Sequence, residues 1–392
     1  MKVALIRAKY NPFGGAERFV ETAVGALAAQ GVSLTILTRQ WPENVQNVNP
    51  ALHHVVINPR YVTSTGRDSS FANAVTEHLG TTKYDLAQSH ERIVGCDIFR
   101  AGDGVHAAWL AQRARGMDKH GDSIKRLSVK LNPHHHYLLR TEREMFLSPL
   151  LRAVICNSAM VKADILRHFD IDETKLRVIL SGVDSQKFHP GLRDEFRLST
   201  RKKLKITKGA PVALFVGSGF ERKGLSGFLL GLADQAGSAQ LADKGVRGIV
   251  VGHDKHLAHF QTRANQLGLA DRVVFTGGVE DVRPYYAAAD ILVLPTLYDP
   301  LPNACLEAMA CGLPTITSTT SGAAELITDD VEGYVTDALD VSAISAAIGH
   351  TLDDARMVKM GLRARERVRM LTPEAMATSY IALYRELLGL PG

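Results

Sequence analysis

Two adjacent cations and two carboxylates in the second half of the chain are the side chains best placed by type and spacing to do chemistry. Arg222 and Lys223 close the run GSGFERKG (217–224), which follows the apolar stretch VALFV and opens a helical pattern. Cations at a helix N-terminus oppose the helix dipole, so a bound anion such as a diphosphate is a natural compensation. Farther on, Asp299 and Glu307 stand eight apart in LYDPLPNACLEAMACGLPTITSTTSGAAE (297–325). A carboxylate accepts two hydrogen bonds from a diol, which suits a sugar or ribose; the same spacing also fits a solvated aspartate and a surface glutamate. Gly14-Gly15 makes a second glycine turn after VALI, where backbone N–H groups approach a phosphate or the glycines simply make the turn. His253, His256 and His259 have ligand-like spacing, but positions three apart drift around a helix and no carboxylate triad joins them. They read as surface histidines, as do His134, His135 and His136.

These residues need strands and helices to hold them. VALI (3–6) is continuously apolar, as a parallel strand buried on both faces must be, and a glycine turn and a helical pattern follow it. The same order returns with VALFV (212–216), so the halves read as two copies of one architecture. LTIL (34–37), AVIC (153–156), GIVVG (248–252), RVVFTG (272–277), ILVLP (291–295) and PTITS (314–318) add strands that alternate with helical stretches. The expectation is two doubly wound α/β domains. Residues 187–210 are polar and charged and read as the linker, giving domains over 1–190 and 191–371. Thr372-Pro373-Glu374 supplies an N-cap, a proline at the first helical position and an acidic first turn, starting a helix over 372–392 that could pack on either domain.

At 392 residues, 45% hydrophobic and 22% charged, the chain has enough apolar content for two cores and is neither disordered nor coiled-coil. A surplus of +5 does not by itself point to nucleic acid. Four cysteines without a CxxC pair read as reduced core residues of a cytoplasmic protein. No signal peptide and no ~20-residue apolar span is visible. Residues 111–144 hold eight basic and four acidic side chains, or +4, with Lys125, Arg126 and Lys130 among interleaved leucines. That composition suits an anionic membrane surface, or a solvated basic helix face.

The run from Asp299 to Gly312, with PTITS, Gly322 and Glu325 beyond it, resembles the C-terminal signature of retaining GT-B glycosyltransferases of family 4, in the glycogen-synthase-like superfamily. FGGAERFV (13–20), VICNS (154–158), ILSGVDSQKF (179–188), GSGFERKG and VVFTGG…YYAAADILVLPT extend the likeness along nearly the whole chain. YNPFGGAERFV with GSGFERKG is most similar to the lipopolysaccharide-core α-1,3-glucosyltransferase branch. The resemblance implies a GT-B fold, two Rossmann-like domains facing a cleft, the first for acceptor and the second for donor. It further implies that Gly14, Gly15 and Gly217 approach the donor and that Arg222 and Lys223 neutralise the leaving diphosphate. Gly277, Gly278 and Val279 would read the nucleobase by their backbone, and Glu307 would bind the ribose. Asp299 stands where the signature has a glutamate near the donor sugar, one methylene shorter. In FRAGDGVHAAW (99–109), Asp103 is the first candidate for the catalytic-loop residue and His106 the second. The implied reaction moves a hexose or N-acetylhexosamine from a UDP-sugar to a glycan or glycolipid of lipopolysaccharide type, without cofactor, metal or nucleic acid. The place implied is the cytoplasm, at the inner face of the membrane. A non-hydrolysing UDP-sugar epimerase, which shares the double layout, is the alternative.

Overall fold

A computed structural model of the chain describes residues 1–8, 25–41, 52–119, 123–236 and 245–391. They form two compact units, one of Met1–Gly182 with Pro373–Gly392 and one of Val183–Thr372. The first is built on a seven-stranded parallel sheet in the order β3-β2-β1-β4-β5-β6-β7. Its strands are β1 (Lys2–Ile6), β2 (Ser33–Thr38), β3 (Leu52–Val56), β4 (Leu86–Ser89), β5 (Ile98–Arg100), β6 (Ala153–Cys156) and β7 (Leu176–Val178). Alternate residues of β1 enter different cores. Val3 joins Leu34, Ile36, Ile98 and Ile155 on one face, while Ala4 and Ile6 join Leu37, Phe71 and Val75 on the other. Both faces are covered, which is why Val3–Ile6 of β1 is apolar without alternation.

The helix Pro373–Leu388 covers the first of those faces with Met376, Ala377, Tyr380, Ile381 and Tyr384. Its tyrosines also explain polar residues in the short strands. Tyr384 Oη donates to Gln88 Oε1 at 2.8 Å, and Arg100 Nε donates to Tyr380 Oη at 3.1 Å. The four cysteines, Cys96 included, are buried and free.

The second unit repeats the pattern in a six-stranded parallel sheet, β10-β9-β8-β11-β12-β13. These are β8 (Val212–Val216), β9 (Arg247–Val251), β10 (Val273–Gly277), β11 (Ile291–Leu294), β12 (Thr315–Ser318) and β13 (Gly333–Thr336). Here two expectations change. Residues 183–190 group with the second unit, where Phe188 packs edge-on against Tyr286 at 5.8 Å. The polar stretch 187–210, read as a linker, contains the helix Leu192–Lys203. Its Arg193, Arg197 and Arg201 lie one turn apart on one face and all donate to the buried Asp290, at 2.8, 2.6 and 2.7 Å. Asp290 also accepts from Val212 N at 2.9 Å, and so ties the helix to the first strand of the sheet.

Removing that carboxylate leaves three guanidiniums with main-chain carbonyls alone. Asp290→Ala is expected to destabilise the second unit by about 3–5 kcal/mol, the cost typical of breaking a buried ion pair. Urea unfolding followed by a probe in this unit checks it; a loss below about 1 kcal/mol would make Asp290 a surface-grade partner.

Candidate active site

In both sheets the strand order reverses after the first strand, between β1 and β4 and between β8 and β11. At such a reversal the connections leave in opposite directions and open a crevice at the strand ends. Arg222 and Lys223 follow β8 and Asp299 follows β11, so the two cations and the carboxylate come from the strands flanking the reversal. Lys223 Nζ makes a short ion pair with Asp299 Oδ2, and Arg222 Nη1 lies 3.9 Å from the same oxygen.

The backbone enforces this meeting. The carbonyl of Arg222 accepts from Leu297 N and from Thr296 Oγ1, each at 2.8 Å. Gly224, at φ +78°, passes so near that a Cβ would lie 1.8 Å from the Pro295 carbonyl oxygen, and only glycine fits. On the other side Asp299 N donates to Thr320 O at 3.1 Å and its carbonyl accepts from Gly322 N at 2.8 Å. Asp299 is 5% exposed. Asp299 thus already offsets the lysine within the unit, a partner the sequence reading of Arg222 and Lys223 did not include.

The stem of Lys223 runs over Gly217, where a Cβ would meet its Cγ and Cε at 3.3 Å. Gly217 lies against Gly252 at the end of β9, and Gly252 N donates to Gly277 O at 2.9 Å, so three glycines line the strand ends. Gly277 has φ +73°, Gly278 is exposed and Val279 is half-buried. Glu307 sits in the helix Asn303–Ala310, is 4% exposed and accepts from Tyr286 Oη at 2.7 Å. Burial of both acids excludes the solvated reading. Tyr286, within the quoted YYAAAD run, was not singled out by sequence, since a tyrosine in an apolar helix looks like core.

In the first unit, His106 opens the helix His106–Lys119 and is 8% exposed. Its backbone N–H donates to the Glu142 carboxylate at 3.0 Å to Oε2, while Arg92 Nε donates to Oε1 at 2.9 Å. Its Nε2 lies 3.1 Å from His135 Nδ1. Burial, then Arg92 and His135, push the imidazole down to about 3, so it is neutral near pH 7. Burial likewise raises the Glu142 carboxyl, against the pull of Arg92. Asp103 is exposed on the same loop. Glu142, counted above among acids of a basic surface, is fully buried instead. Gly14 and Gly15 lie outside the described residues, as do the side chains of Lys125 and Arg126. Lys130 is exposed beside Leu127 and Leu131, which are 57% and 66% exposed. His253, His256 and His259 are exposed.

Two family models match the chain, "Glycosyltransferase Family 4" over residues 13–187 and "Glycosyl transferases group 1" over residues 196–368. The lipopolysaccharide glucosyltransferase WaaG of Escherichia coli K12 is 26% identical over 84% of this chain and 83% of its own. A GDP-mannose-dependent α-mannosyltransferase of Corynebacterium glutamicum is 31% identical over 53% of this chain and 47% of its own. Among solved structures, WaaG superposes with a TM-score of 0.80 at 22% identity, over 97% of this chain and 99% of that one. Anabaena HepE in complex with UDP-glucose gives 0.74 at 16% identity, over 98% and 100%. These superpositions show a GT-B fold of two Rossmann-like units.

The depressed imidazole has a measurable consequence. An unfolded histidine gains its proton below about 6.5, whereas His106 holds out to about 3. The unfolded chain thus binds the extra proton in that window, and the His106 contribution to stability is whole above it and falls as pH drops through it. Between pH 7 and pH 5 this amounts to about 2 kcal/mol. Unfolding free energies at the two pH values should show that loss in the wild type and less of it in His106→Gln. An imidazole resonance of His106 titrating near 6.5 would contradict the buried, neutral state.

Proposed function

The chain belongs to the family 4 glycosyltransferases of the GT-B fold, and from that premise we propose that it transfers a hexose or N-acetylhexosamine from a UDP-linked donor to a glycan or glycolipid of lipopolysaccharide type. The observation that carries the donor site is the Lys223–Asp299 ion pair at the strand reversal, with Arg222 beside it. Asp299 holds the ammonium at the strand ends, where the positive end of the helix Leu225–Ala236 points as well. Charge that develops on a departing diphosphate would meet two cations and a helix N-terminus already in place, which lowers the barrier without reorganisation. That array can do the work of a divalent cation, so neither metal nor cofactor is required. Glu307, with one oxygen fixed by Tyr286, takes the ribose hydroxyls, and the backbone of Gly277, Gly278 and Val279 takes the base. A glucosyl donor is suggested by the similarity to the glucosyltransferase WaaG, and UDP as its nucleotide by the likeness to HepE, solved with UDP-glucose; the mannosyltransferase relative makes GDP the competitor.

The proposed course retains anomeric configuration. The bond from the anomeric carbon to the diphosphate oxygen breaks and its electron pair leaves with the diphosphate. The acceptor hydroxyl attacks from the same face, and its proton passes to the departing oxygen. No protein nucleophile is needed. Asp103 and the neutral His106 serve as hydrogen-bonding groups of the first unit, with Asp103 the first choice and Gly14 and Gly15 approaching the donor. The acceptor reading draws on residues 111–144. With Glu142 buried, that surface is more basic than its composition states, and Leu127 and Leu131 stand one turn apart beside Lys130. That surface supports a peripheral place at the inner face of the cytoplasmic membrane; no helix among the described residues is long and apolar enough to cross a membrane.

Labelled UDP- and GDP-sugars, incubated with and without glycolipid, should give acceptor-dependent nucleotide release; a free epimerised nucleotide sugar would instead favour the epimerase. Lys223→Ala should lower turnover about a hundredfold or more, as loss of one transition-state charge partner does, with Arg222→Ala doing less. Glu307→Gln should raise the donor KM about tenfold through one weakened charge-assisted hydrogen bond, with the fold intact. Normal turnover in the lysine variant would empty the proposed site. Sedimentation with anionic vesicles should be salt-sensitive and should drop when Lys125, Arg126 and Lys130 become Ser; equal sedimentation with neutral vesicles would leave a soluble acceptor.

A further inference from the structure

At the other end of the second sheet lies a crevice of about 1570 Å³, bordered by the helices Leu192–Lys203, Val341–Thr351 and Asp354–Val368. It opens at Ala210 and Pro211, ahead of β8, whereas the candidate donor site begins at Gly217, behind it. Five residues of strand put the two about 17 Å apart, so the crevice is separate from the donor site.

Its lining carries six cations, Arg193, Arg197, Arg201, Lys202, Lys208 and Arg356, against the carboxylates Asp290 and Asp353. Both carboxylates are engaged. Asp290 is shared by three guanidiniums and Val212 N, and Asp353 caps its helix by accepting from Arg356 N at 3.1 Å. Arg356 reaches out of the crevice to Asp330 at 3.3 Å. Lys202 and Lys208 are exposed and enter no ion pair among the described residues. The arginine face thus brings three positive charges to one negative charge in a partly dry place, an imbalance that an incoming anion relieves.

A second, independent group asks for something else. Gln235 lines the same crevice and is 6% exposed. Its Nε2 donates to Ser345 Oγ at 2.8 Å, but its Oε1 has no hydrogen-bond partner among the described residues. A buried carbonyl without a donor is costly, and an anion cannot satisfy it. A ligand that suits both groups carries a negative charge at one end and a hydroxyl at another.

We propose that this crevice is a second ligand site, and that it takes a sugar phosphate, with the phosphate on Lys202 and Lys208 and a sugar hydroxyl on Gln235. The arginine triad holds the wall and lends it positive potential.

Calorimetry on the full chain, with UDP present in excess to occupy the donor site, tests this with glucose 1-phosphate, inorganic phosphate and glucose. One equivalent of glucose 1-phosphate is expected to bind, phosphate about tenfold more weakly, and glucose not measurably. The surface double variant Lys202→Ser/Lys208→Ser should weaken glucose 1-phosphate at least about tenfold and leave UDP binding unchanged. Gln235→Leu should bring glucose 1-phosphate down to the affinity of phosphate. Lys223→Ala, in the donor site, should leave the glucose 1-phosphate signal intact; its loss there would assign that signal to the donor site and overturn the proposal. Undiminished binding by the double lysine variant, equal affinity for phosphate and sugar phosphate, or no binding at all would overturn it too.

Discussion

A parallel sheet covered on both faces has only its strand ends left for polar chemistry, and the rest of this molecule follows from that constraint. β8, and β1 from Val3 to Ile6, are apolar because helices close both of their faces. Their backbone hydrogen bonds are used up within the sheet, so a ligand can be met only by the loops that leave it. The reversal of strand order between β8 and β11 then decides which two loops face one another. Arg222 and Lys223 arrive from one and Asp299 from the other, although the lysine and the aspartate are 76 residues apart in the chain.

Buried charge is handled in the same way at three places. Asp299, Asp290 and Glu142 are each nearly or fully buried, and each is matched by cations drawn from elsewhere in its own unit. Burying an ion is tolerable only when partners replace its water, and these carboxylates have such partners. The consequences differ with the partner. Three arginines make Asp290 a structural knot. One tightly held lysine and one looser arginine make Asp299 an anchor that keeps positive charge at the strand ends. Glu142 takes a backbone N–H at the start of a helix together with Arg92, and so fixes the entry to the His106–Lys119 helix.

The two halves share a scaffold and differ in how their ends are finished. In the second unit the strand ends carry glycines, so backbone approaches backbone as closely as Gly252 does Gly217. In the first unit the Asp103–His106 loop follows β5, whose Arg100 is held by Tyr380 of the last helix. The end of the chain therefore completes the sheet on which that loop stands.

The sequence by itself determined the architecture and the residue types gathered at the candidate donor site. Short β-branched apolar runs bounded by glycine turns suit doubly covered strands, and glycine turns, adjacent cations and the Asp299 to Gly312 signature are local features that survive without coordinates. The short strands LAQS (86–89) and IFR (98–100) were not legible, because their Gln88 and Arg100 look like loop residues until Tyr384 and Tyr380 are seen to receive them. The polar helix Leu192–Lys203 read as a linker for the same reason: nothing local shows that three arginines share one buried aspartate 89 to 97 residues away. Tertiary structure alone decided that Lys223 is held by Asp299, that Glu307 and Glu142 are buried rather than solvated, and that His106 is neutral. Burial and long-range pairing decide which of these side chains are buried and held, and a sequence records neither.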